Sequence, residues 1–266
     1  MVVHFSKLVG SGNDFIIVDK SLQTIPENLK TFAIYICRNK FGVGADGLVV
    51  LEEQKDNYFR MTCLNPDGSE AAMCGNAVRC CGRYLSRTRG LHDLIVETPS
   101  GPHHVKVNDD GLISITFSKP HSYRDEIFIG TYKEYFINTG TEHAVTYVHS
   151  VKGIDVLKEG MIIRYDKAFA PTGANVNFVE IINSKAVKIR TYEKGVEDET
   201  LSCGSGAVAS VLVSRHLKKI TGNKVQVFNC TETPLWVQFS GDSLPFKDIW
   251  LTGPADFVYE GDIKWD

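Results

Sequence analysis

The sequence lacks the features that mark metal-binding, secreted or membrane-spanning proteins. It contains no Cys-x-x-Cys pair and no Cys/His ligand spacing, so we predict no metal site. No apolar run approaches the length of a membrane span, and the first residues carry no apolar stretch of the signal-peptide type. We therefore expect a cytoplasmic protein with no membrane partner.

The charge balance and the cysteine count exclude two further classes. The formal net charge is −3 and the basic residues are scattered, so nothing favours nucleic acid as a partner. Seven cysteines, an odd number in a chain of 266 residues, argue against a secreted disulfide framework. The 43% of hydrophobic residues is typical of a globular protein with a sizeable core.

The stretch from Asn65 to Cys81 combines a turn with the start of a helix. Asn65–Gly68 (NPDG) is a turn by composition, because Pro sets φ and Gly tolerates positive φ. Small and apolar residues suited to a helix follow Cys74. Unpaired N–H groups and the helix dipole at such a start would favour a thiolate and bind an anion. For one isolated Cys-Gly, however, a buried structural cysteine is the better interpretation.

A second Cys-Gly changes that interpretation. When the chain is aligned with itself so that Cys74 meets Cys203, Gly44 meets Gly173 without a gap. Each half then reads Gly-Ala, strand, turn, strand, acidic loop, Cys-Gly, helix, and this matching order indicates a duplication. We predict an N-terminal α+β domain over 1–118, joined by the C-terminal strand at about 255–266, and a C-terminal α+β domain over 119–254.

Two similar domains predict a cleft between them in which both Cys-Gly helix starts meet one small molecule. Two helix N-termini can hold a carboxylate and stabilise negative charge that develops beside it. Two thiols on opposite faces of a carbon can remove a proton from one side and return one from the other. The predicted reaction is inversion at the α-carbon of an amino acid without a cofactor. A structural disulfide between Cys74 and Cys203 is the alternative.

One glycine motif is rejected as a nucleotide site. Gly42–Gly47 reads G-x-G-x-x-G, but a predicted helix (Asn28–Arg38) precedes it and a predicted strand follows it. A dinucleotide site needs the opposite order. Further helices are predicted after Cys74, over Ile154–Lys158 and over Gly206–Lys219, with short strands elsewhere.

Four motifs together resemble the diaminopimelate epimerase family. They are KLVGSGNDF, FGVGADG, NPDGSEAAMCGNAVR and YEKGVEDETLSCGSGA, in the family's order along nearly the whole chain. The resemblance implies a pyridoxal-independent two-base epimerase that interconverts LL- and meso-diaminopimelate for lysine and peptidoglycan precursor synthesis. It also implies two pseudo-symmetric α+β domains, each a curved antiparallel sheet wrapped around a central helix, and a homodimer.

The resemblance assigns roles to individual residues. Cys74 and Cys203 would be the base/acid pair, exchanging roles with reaction direction. His143 matches a histidine near one thiol that could assist proton transfer, although a surface loop histidine fits the sequence almost as well. The implied substrate-binding residues are Asn13, Asn65, Gly75, Asn76, Asn175, Glu193, Lys194, Gly204 and Ser205.

Three positions depart from the family pattern. Gly47, Thr141 and Lys194 stand where the family usually has Gln, Asn and Arg. Lys pairs with a carboxylate as a point charge without the bidentate fork, and lost side-chain hydrogen bonds weaken substrate rejection. We therefore expect relaxed specificity. The alternatives are an amino-acid racemase of the same fold acting on another substrate such as glutamate, a proline-racemase or phenazine-type relative, and a binding protein with a dead site.

Overall fold

Runs of β-branched and aromatic residues separated by Gly, Asn and Asp turns make up most of the chain. The computed structural model describes residues 1–231 and 233–265. The chain divides into two units: Met1–Ile115 together with the chain from Gly253 onward, and Thr116–Thr252.

The first unit is an eight-stranded sheet with two helices. Its strands, numbered in chain order, are β1 (Val2–Gly10), β2 (Asn13–Asp19), β3 (Gly47–Lys55), β4 (Tyr58–Leu64), β5 (Asp93–Thr98), β6 (Gly101–Val107), β7 (Ile113–Phe117) and β17 (Asp256–Lys264). Its helices are α1 (Leu29–Ile36) and α2 (Gly75–Arg89). The strand order is β17-β1-β2-β3-β4-β5-β6-β7, with parallel pairs only at β2–β3 and β4–β5.

The second unit repeats this plan. Its strands are β8 (His121–Ile129), β9 (Tyr132–Asn138), β10 (Glu142–Tyr147), β11 (Asn175–Asn183), β12 (Ala186–Glu193), β13 (Asp198–Thr200), β14 (Lys224–Phe228), β15 (Leu235–Ser240) and β16 (Lys247–Gly253). Its helices are α3 (Val156–Arg164) and α4 (Gly204–His216). The order is β8-β9-β10-β11-β12-β14-β15-β16, parallel at β10–β11 and β12–β14, while β13 pairs with the end of β12.

The succession of antiparallel and parallel pairs is the same in both units. Parallel neighbours need a crossover connection, and each unit has two: α1 and α3 fill the first, α2 and α4 the second. The predicted α+β class is confirmed, and both units have the repeated order of elements that the internal repeat predicted. The sheets are mixed rather than antiparallel as expected, because these helical crossovers make the strands on either side of them parallel.

Each sheet is covered on both faces. In the first unit α2 packs against β1, β2, β5, β6 and β17, and in the second α4 packs against β9 to β12, β14 and β15. Leu48 and Val50 of β3 join the core cluster around Phe32 of α1, while Val49 and Leu51 are equally buried and alternate with them along the strand. A strand buried on both faces reads as a continuous apolar run, as β3 does.

α1, α2 and α4 lie within a few residues of their predicted positions, whereas α3 extends six residues beyond the predicted end at Lys158, and two strands were not predicted. β8 (HSYRDEIFI) is mostly exposed and shows no alternation of polar and apolar residues, and β13 has only three residues. The rejection of Gly42–Gly47 as a dinucleotide motif agrees with the structure, since α1 precedes it and β3 follows. Among the described residues, no helix has the length and apolar character needed to cross a membrane.

One carboxyl group lies in the core of the second unit. Glu134 on β9 is 0% exposed. Thr146 Oγ1 donates to one of its oxygens, and the other, Oε2, has no partner among the described residues. Burial raises the pKa of Glu134 to about 7, against the opposing effect of the Thr146 hydrogen bond.

This carboxyl group should make stability fall as pH rises. The pKa of Glu134 is about 7 in the folded state, whereas that of an unfolded Glu is ~4.3. Between about pH 4.3 and about pH 7 the folded state therefore binds more protons than the unfolded state, so the free energy of unfolding falls as pH rises. We expect Glu134→Gln to raise the free energy of unfolding by about 2 kcal/mol at pH 8 and by little at pH 4. Urea denaturation at both pH values checks this, and an equal effect at the two would contradict it.

Candidate active site

Both Cys-Gly pairs lie at the start of the second crossover helix of their unit. Cys74 is the N-cap residue of α2 (φ −137°, ψ 108°), and Cys203 is the N-cap residue of α4 (φ −113°, ψ 109°). The helices themselves begin at Gly75 and Gly204. The predicted position of both cysteines is therefore confirmed, and it is the same in the two units.

The two helix starts share two features of their first turns. Neither cysteine side chain caps its helix, and neither first turn contains an acidic residue. An incoming carboxylate therefore meets the positive end of the helix dipole and first-turn N–H groups without competition from a carboxylate of that turn.

Cys74 differs from the other cysteines around it. It is half-buried, whereas Cys63, Cys80 and Cys81 are buried. Burial raises the pKa of each of these three thiols above its usual value, and negative charge on Cys74 raises it further. The three stay neutral packing residues, so Cys74 is the thiol of this cluster suited to proton transfer.

Two predicted substrate-binding asparagines form one network beside Cys74. Asn76, 3% exposed in the first turn of α2, donates its Nδ2 to Asn13 Oδ1 at 2.7 Å. Asn13, at the start of β2, donates its own Nδ2 to Asp46 Oδ2 at 3.0 Å. The structure therefore brings together two residues that are far apart in the sequence.

Asn65 lies apart from that network, in the predicted turn after β4. Gly68 N donates to Asn65 O at 2.9 Å and Gly68 has φ +79°, which confirms the turn and the need for glycine there. The Asn65 side chain is exposed and donates to Ser69 Oγ at 2.9 Å.

In the second unit Cys203 is 6% exposed, and its Sγ lies 3.5 Å from Ser205 Oγ. Thr139 Oγ1 donates to Ser205 O at 3.2 Å, which ties the start of α4 to the end of β9. The close approach of α4 to β11 depends on Gly206. A Cβ there would lie 2.2 Å from Asn177 Oδ1 and 3.2 Å from Cys203 Sγ.

His143 is fully buried on β10, not in a surface loop. Asn177 Nδ2 lies 3.1 Å from its Nδ1 and 3.0 Å from Ala144 O, and Thr191 Oγ1 donates to Asn177 Oδ1 at 3.0 Å. With that amide orientation Nδ1 accepts, so the neutral ring carries its proton on Nε2. Burial lowers the pKa of His143 to about 3, which keeps the ring neutral.

Three further predicted substrate-binding residues, Asn175, Glu193 and Lys194, lie at the start of β11 and at or just after the end of β12. Asn175 donates its Nδ2 to Glu142 O and accepts from Lys194 N, both at 2.9 Å. Thr200 Oγ1 donates to Glu193 Oε2 at 2.9 Å, and burial raises the pKa of Glu193 despite that bond.

Glu142 is a residue that the sequence did not point to. Lys194 Nζ lies 2.6 Å from Glu142 Oε2, and the two side chains are 25% and 23% exposed. Burial acts to raise the pKa of Glu142, but the hydrogen bond and charge of Lys194 hold that pKa below its usual value. No spacing rule links positions so far apart, since β10 and β12 are brought near each other only through β11.

The other two departures from the family pattern have local explanations. A Cβ on Gly47 would lie 3.1 Å from Leu64 O and 3.3 Å from the Phe15 ring, so this position has little room for a side chain. Thr141 Oγ1 lies 3.5 Å from both Asn175 Nδ2 and Glu142 Oε2.

Comparison with known proteins decides the family. The family model described as "Diaminopimelate epimerase" matches residues 5–120 and 135–243. The chain belongs to the diaminopimelate epimerase family. The resemblance predicted from the four motifs is confirmed.

Individual relatives agree over nearly the whole length. The diaminopimelate epimerase of Flavobacterium psychrophilum is 35% identical, with 97% of this chain and 98% of the relative covered. That of Chlorobaculum tepidum is 38% identical, covering 96% and 98%. The crystal structure of a Bacillus anthracis phenazine biosynthesis protein of the PhzF family superimposes with a TM-score of 0.72 at 19% identity over 100% of both chains, which shows a shared fold.

The close approach at Gly206 can be tested by stability. Gly206→Ala places a Cβ against Asn177 Oδ1, and we expect a loss of about 2 kcal/mol in the free energy of unfolding. Gly153→Ala is the matched control, because a Cβ there meets nothing within 4 Å. Urea denaturation of both variants measures the difference; an equal stability for the two would show that α4 shifts without cost.

Proposed function

We propose that this protein is a diaminopimelate epimerase that inverts one α-carbon by cofactor-independent two-base catalysis with Cys74 and Cys203. The observation that carries the proposal is the same N-cap placement of a cysteine at two topologically equivalent helices. A structural disulfide would not require both cysteines to begin helices whose first turns lack acidic residues.

In one direction the thiolate of one cysteine removes the α-proton of the substrate, and the electron pair of the C–H bond remains on the substrate as a carbanion-like centre. The thiol of the other cysteine donates its proton to the opposite face of the same carbon. The product has the inverted configuration, and the two cysteines end with exchanged protonation states. The reverse reaction starts from that exchanged state.

The helix starts supply the electrostatic part of the proposal. N–H groups of Gly75, Asn76, Gly204 and Ser205 bind the α-carboxylate, on which negative charge builds up as the α-proton leaves. Fixed dipoles need no reorganisation during the reaction, so they stabilise the transition state more than the ground state.

Positioning is assigned to the polar networks described above. Asn13 and Asn76 serve the reacting end beside Cys74, and His143, neutral and fixed by Asn177, serves the end beside Cys203. The distal amino-acid group of the substrate meets Asn65, Asn175, Glu193 and Lys194. Lys194 already pairs with Glu142, so its ammonium group interacts with two carboxylates when the distal carboxylate of the substrate binds.

Two further properties belong to the proposal and rest on the family resemblance. They are a cytoplasmic location, where the thiols stay reduced, and a homodimeric assembly. The substrate proposed is diaminopimelate rather than glutamate, since the relatives named above are diaminopimelate epimerases.

Isotope exchange tests the two-thiol mechanism directly. In D₂O under reducing conditions we expect deuterium at the inverted α-carbon of diaminopimelate. Cys74→Ser and Cys203→Ser should each lower kcat/KM by about a thousandfold, because a serine hydroxyl is a much weaker acid than a thiol. NMR and mass spectrometry follow the label.

Cys230→Ser is the control for these variants. Cys230 is exposed, its N–H donates to Leu201 O at 3.2 Å, and its Sγ is directed to Glu199 Oε1, 3.2 Å away. Its activity should equal that of the unchanged protein. Full activity in Cys74→Ser or Cys203→Ser would refute the two-thiol mechanism, whatever the substrate.

The Lys194–Glu142 pair predicts an effect on substrate affinity. Glu142→Gln removes the competing carboxylate, so we expect KM for LL-diaminopimelate to fall several-fold with kcat nearly unchanged. Glu126→Gln, which breaks the exposed pair with Lys133, should leave both constants unchanged. A rise in KM for Glu142→Gln would instead mean that Glu142 helps to bind the substrate.

A further inference from the structure

A charged side chain that the proposed mechanism does not use lies completely buried in α2. The Arg79 guanidinium donates to Ser11 Oγ at 2.8 Å, to Asn76 Oδ1 at 2.6 Å and to the carbonyl oxygens of Pro254 and Gly75 at 3.3 and 3.5 Å. Over residues 1–231 and 233–265 it forms no salt bridge with a carboxylate. A buried cation without an anionic partner is strongly unfavourable, so its presence needs an explanation.

We propose that Arg79 is a positioning residue for the Cys74 half of the reaction, which fixes the amide groups of Asn76 and Asn13 and provides the positive charge that favours the thiolate of Cys74. This inference rests on the proposed function for the role of Cys74, and it concerns a residue to which that mechanism gives no task.

The amide orientation follows from the hydrogen-bonding capacity of arginine. A guanidinium has only donors, so the Asn76 atom 2.6 Å away must be the acceptor Oδ1. The Asn76 Nδ2 group then points to Asn13 Oδ1, and the Asn13 Nδ2 group to Asp46 Oδ2. Every donor in this chain points away from the buried cation and towards the carboxylate at its other end, so each bond polarises the next.

Without the cation this orientation is set from one end alone, by the Asp46 carboxylate, which can only accept from Asn13 Nδ2. Asn76 Oδ1 then loses the charged donor that lies 2.6 Å away. Asn76 and Asn13 both belong to the polar network proposed to contact the substrate. A fixed orientation therefore keeps the same donors and acceptors presented in every turnover.

The electrostatic part follows from the groups that surround Arg79. Burial, the largest effect, lowers the pKa of Arg79 to about 10, and electrostatic coupling to the thiols of Cys80 and Cys74 opposes that shift. The attraction is mutual, so the cation stabilises a thiolate at Cys74 by the same amount.

The other titratable groups near this cluster do not supply such a charge. Cys63 on β4 and Cys81 on α2 have pKa values raised by burial and remain neutral. Asp256 of β17 and Glu70 act on Cys80 and Cys63 with negative charge, which opposes a thiolate. Arg83 acts on Cys80. Arg79 is coupled to Cys74 and also holds the Asn76 amide.

A purely structural tie is the competing explanation, and Arg83 provides the comparison. One turn further along α2, Arg83 donates to Ala255 O at 2.7 Å and to Gly111 O at 2.5 Å, so it joins α2 to the same C-terminal segment. It has no hydrogen bond to Asn76. Substitution of Arg83 should therefore reproduce any effect that comes only from loss of this tie.

The test compares Arg79→Met, Arg79→Gln and Arg79→Lys with Arg83→Met in the Cys230→Ser background. The first readout is alkylation of Cys74 by iodoacetamide as a function of pH, followed by mass spectrometry of the peptide, which needs no substrate. We expect the midpoint pH to rise by about one unit in the two neutral Arg79 variants. It should stay unchanged in Arg79→Lys, which keeps the charge, and in Arg83→Met.

The second readout is the pH profile of kcat/KM. Its shape is the same in both reaction directions, because the ratio of the two kcat/KM values is the equilibrium constant of the two isomers, and its limbs report the pair of thiols. In the neutral Arg79 variants the limbs should move to higher pH, with about a tenfold loss near neutrality. Arg79→Lys should lower the plateau without moving a limb, because it cannot hold Ser11 and Asn76 together.

An unchanged Cys74 midpoint in both Arg79→Met and Arg79→Gln, or an equal shift in Arg83→Met, would overturn the inference. If one neutral variant does not fold, the other and Arg79→Lys decide the outcome. The proposed function fails in a different way, through absence of diaminopimelate inversion by the unchanged protein or full activity of Cys74→Ser. The alkylation result stands in either case.

Discussion

A helix that starts inside a protein has N–H groups that its own backbone cannot satisfy, and this constraint governs both halves of the molecule. α2 and α4 each begin at a glycine preceded by a cysteine in extended conformation. Neither cysteine caps the helix, and neither first turn contains an acid. At both helix starts the N-cap residue is therefore a cysteine that makes no capping hydrogen bond, where most proteins place Ser, Thr, Asp or Asn.

Close packing of these helices depends on small residues. Gly206 lets α4 approach Asn177, and Gly82 lets α2 approach Val105 and Ile113, where a Cβ would lie 2.6 Å from the Val105 side chain. The same approach that buries the helix places its first turn beside the polar groups of the neighbouring strands. Buried amides such as Asn76 and Asn177 are consistent with this, since each is held by several hydrogen bonds.

The features predicted from sequence were those encoded locally or by repetition. The turn at Asn65–Gly68, the helix after Cys74 and the matching helix after Cys203 all follow from residue types at fixed spacing. The strand β8 was missed because it is exposed and polar, and its place in the sheet comes from pairing with β9.

The site was predicted in part for the same reason. Cys74, Cys203 and several asparagines lie in motifs, whereas Glu142 has no signal in its own neighbourhood. Arg79 closes the motif NPDGSEAAMCGNAVR, but nothing there indicates that it is buried. Glu142 reaches Lys194 because β10 and β12 both pair with β11, and Arg79 is notable because its charged side chain is fully buried. Both features depend on the tertiary structure, so the periodicity of the sequence cannot predict them.

The last strand, β17, belongs to the first unit, and this affects the order in which the two units can fold during synthesis on the ribosome. β17 pairs with β1 from Val2↔Lys264 to Val9↔Asp256, and Trp265 packs edge-on against Phe32 and Tyr35. The second unit is one continuous segment and can fold as soon as it has emerged. The first unit lacks its edge strand until β17 has emerged, so β1 stays an unpaired edge while the second unit is synthesised. The nascent chain should therefore complete its second half before its first.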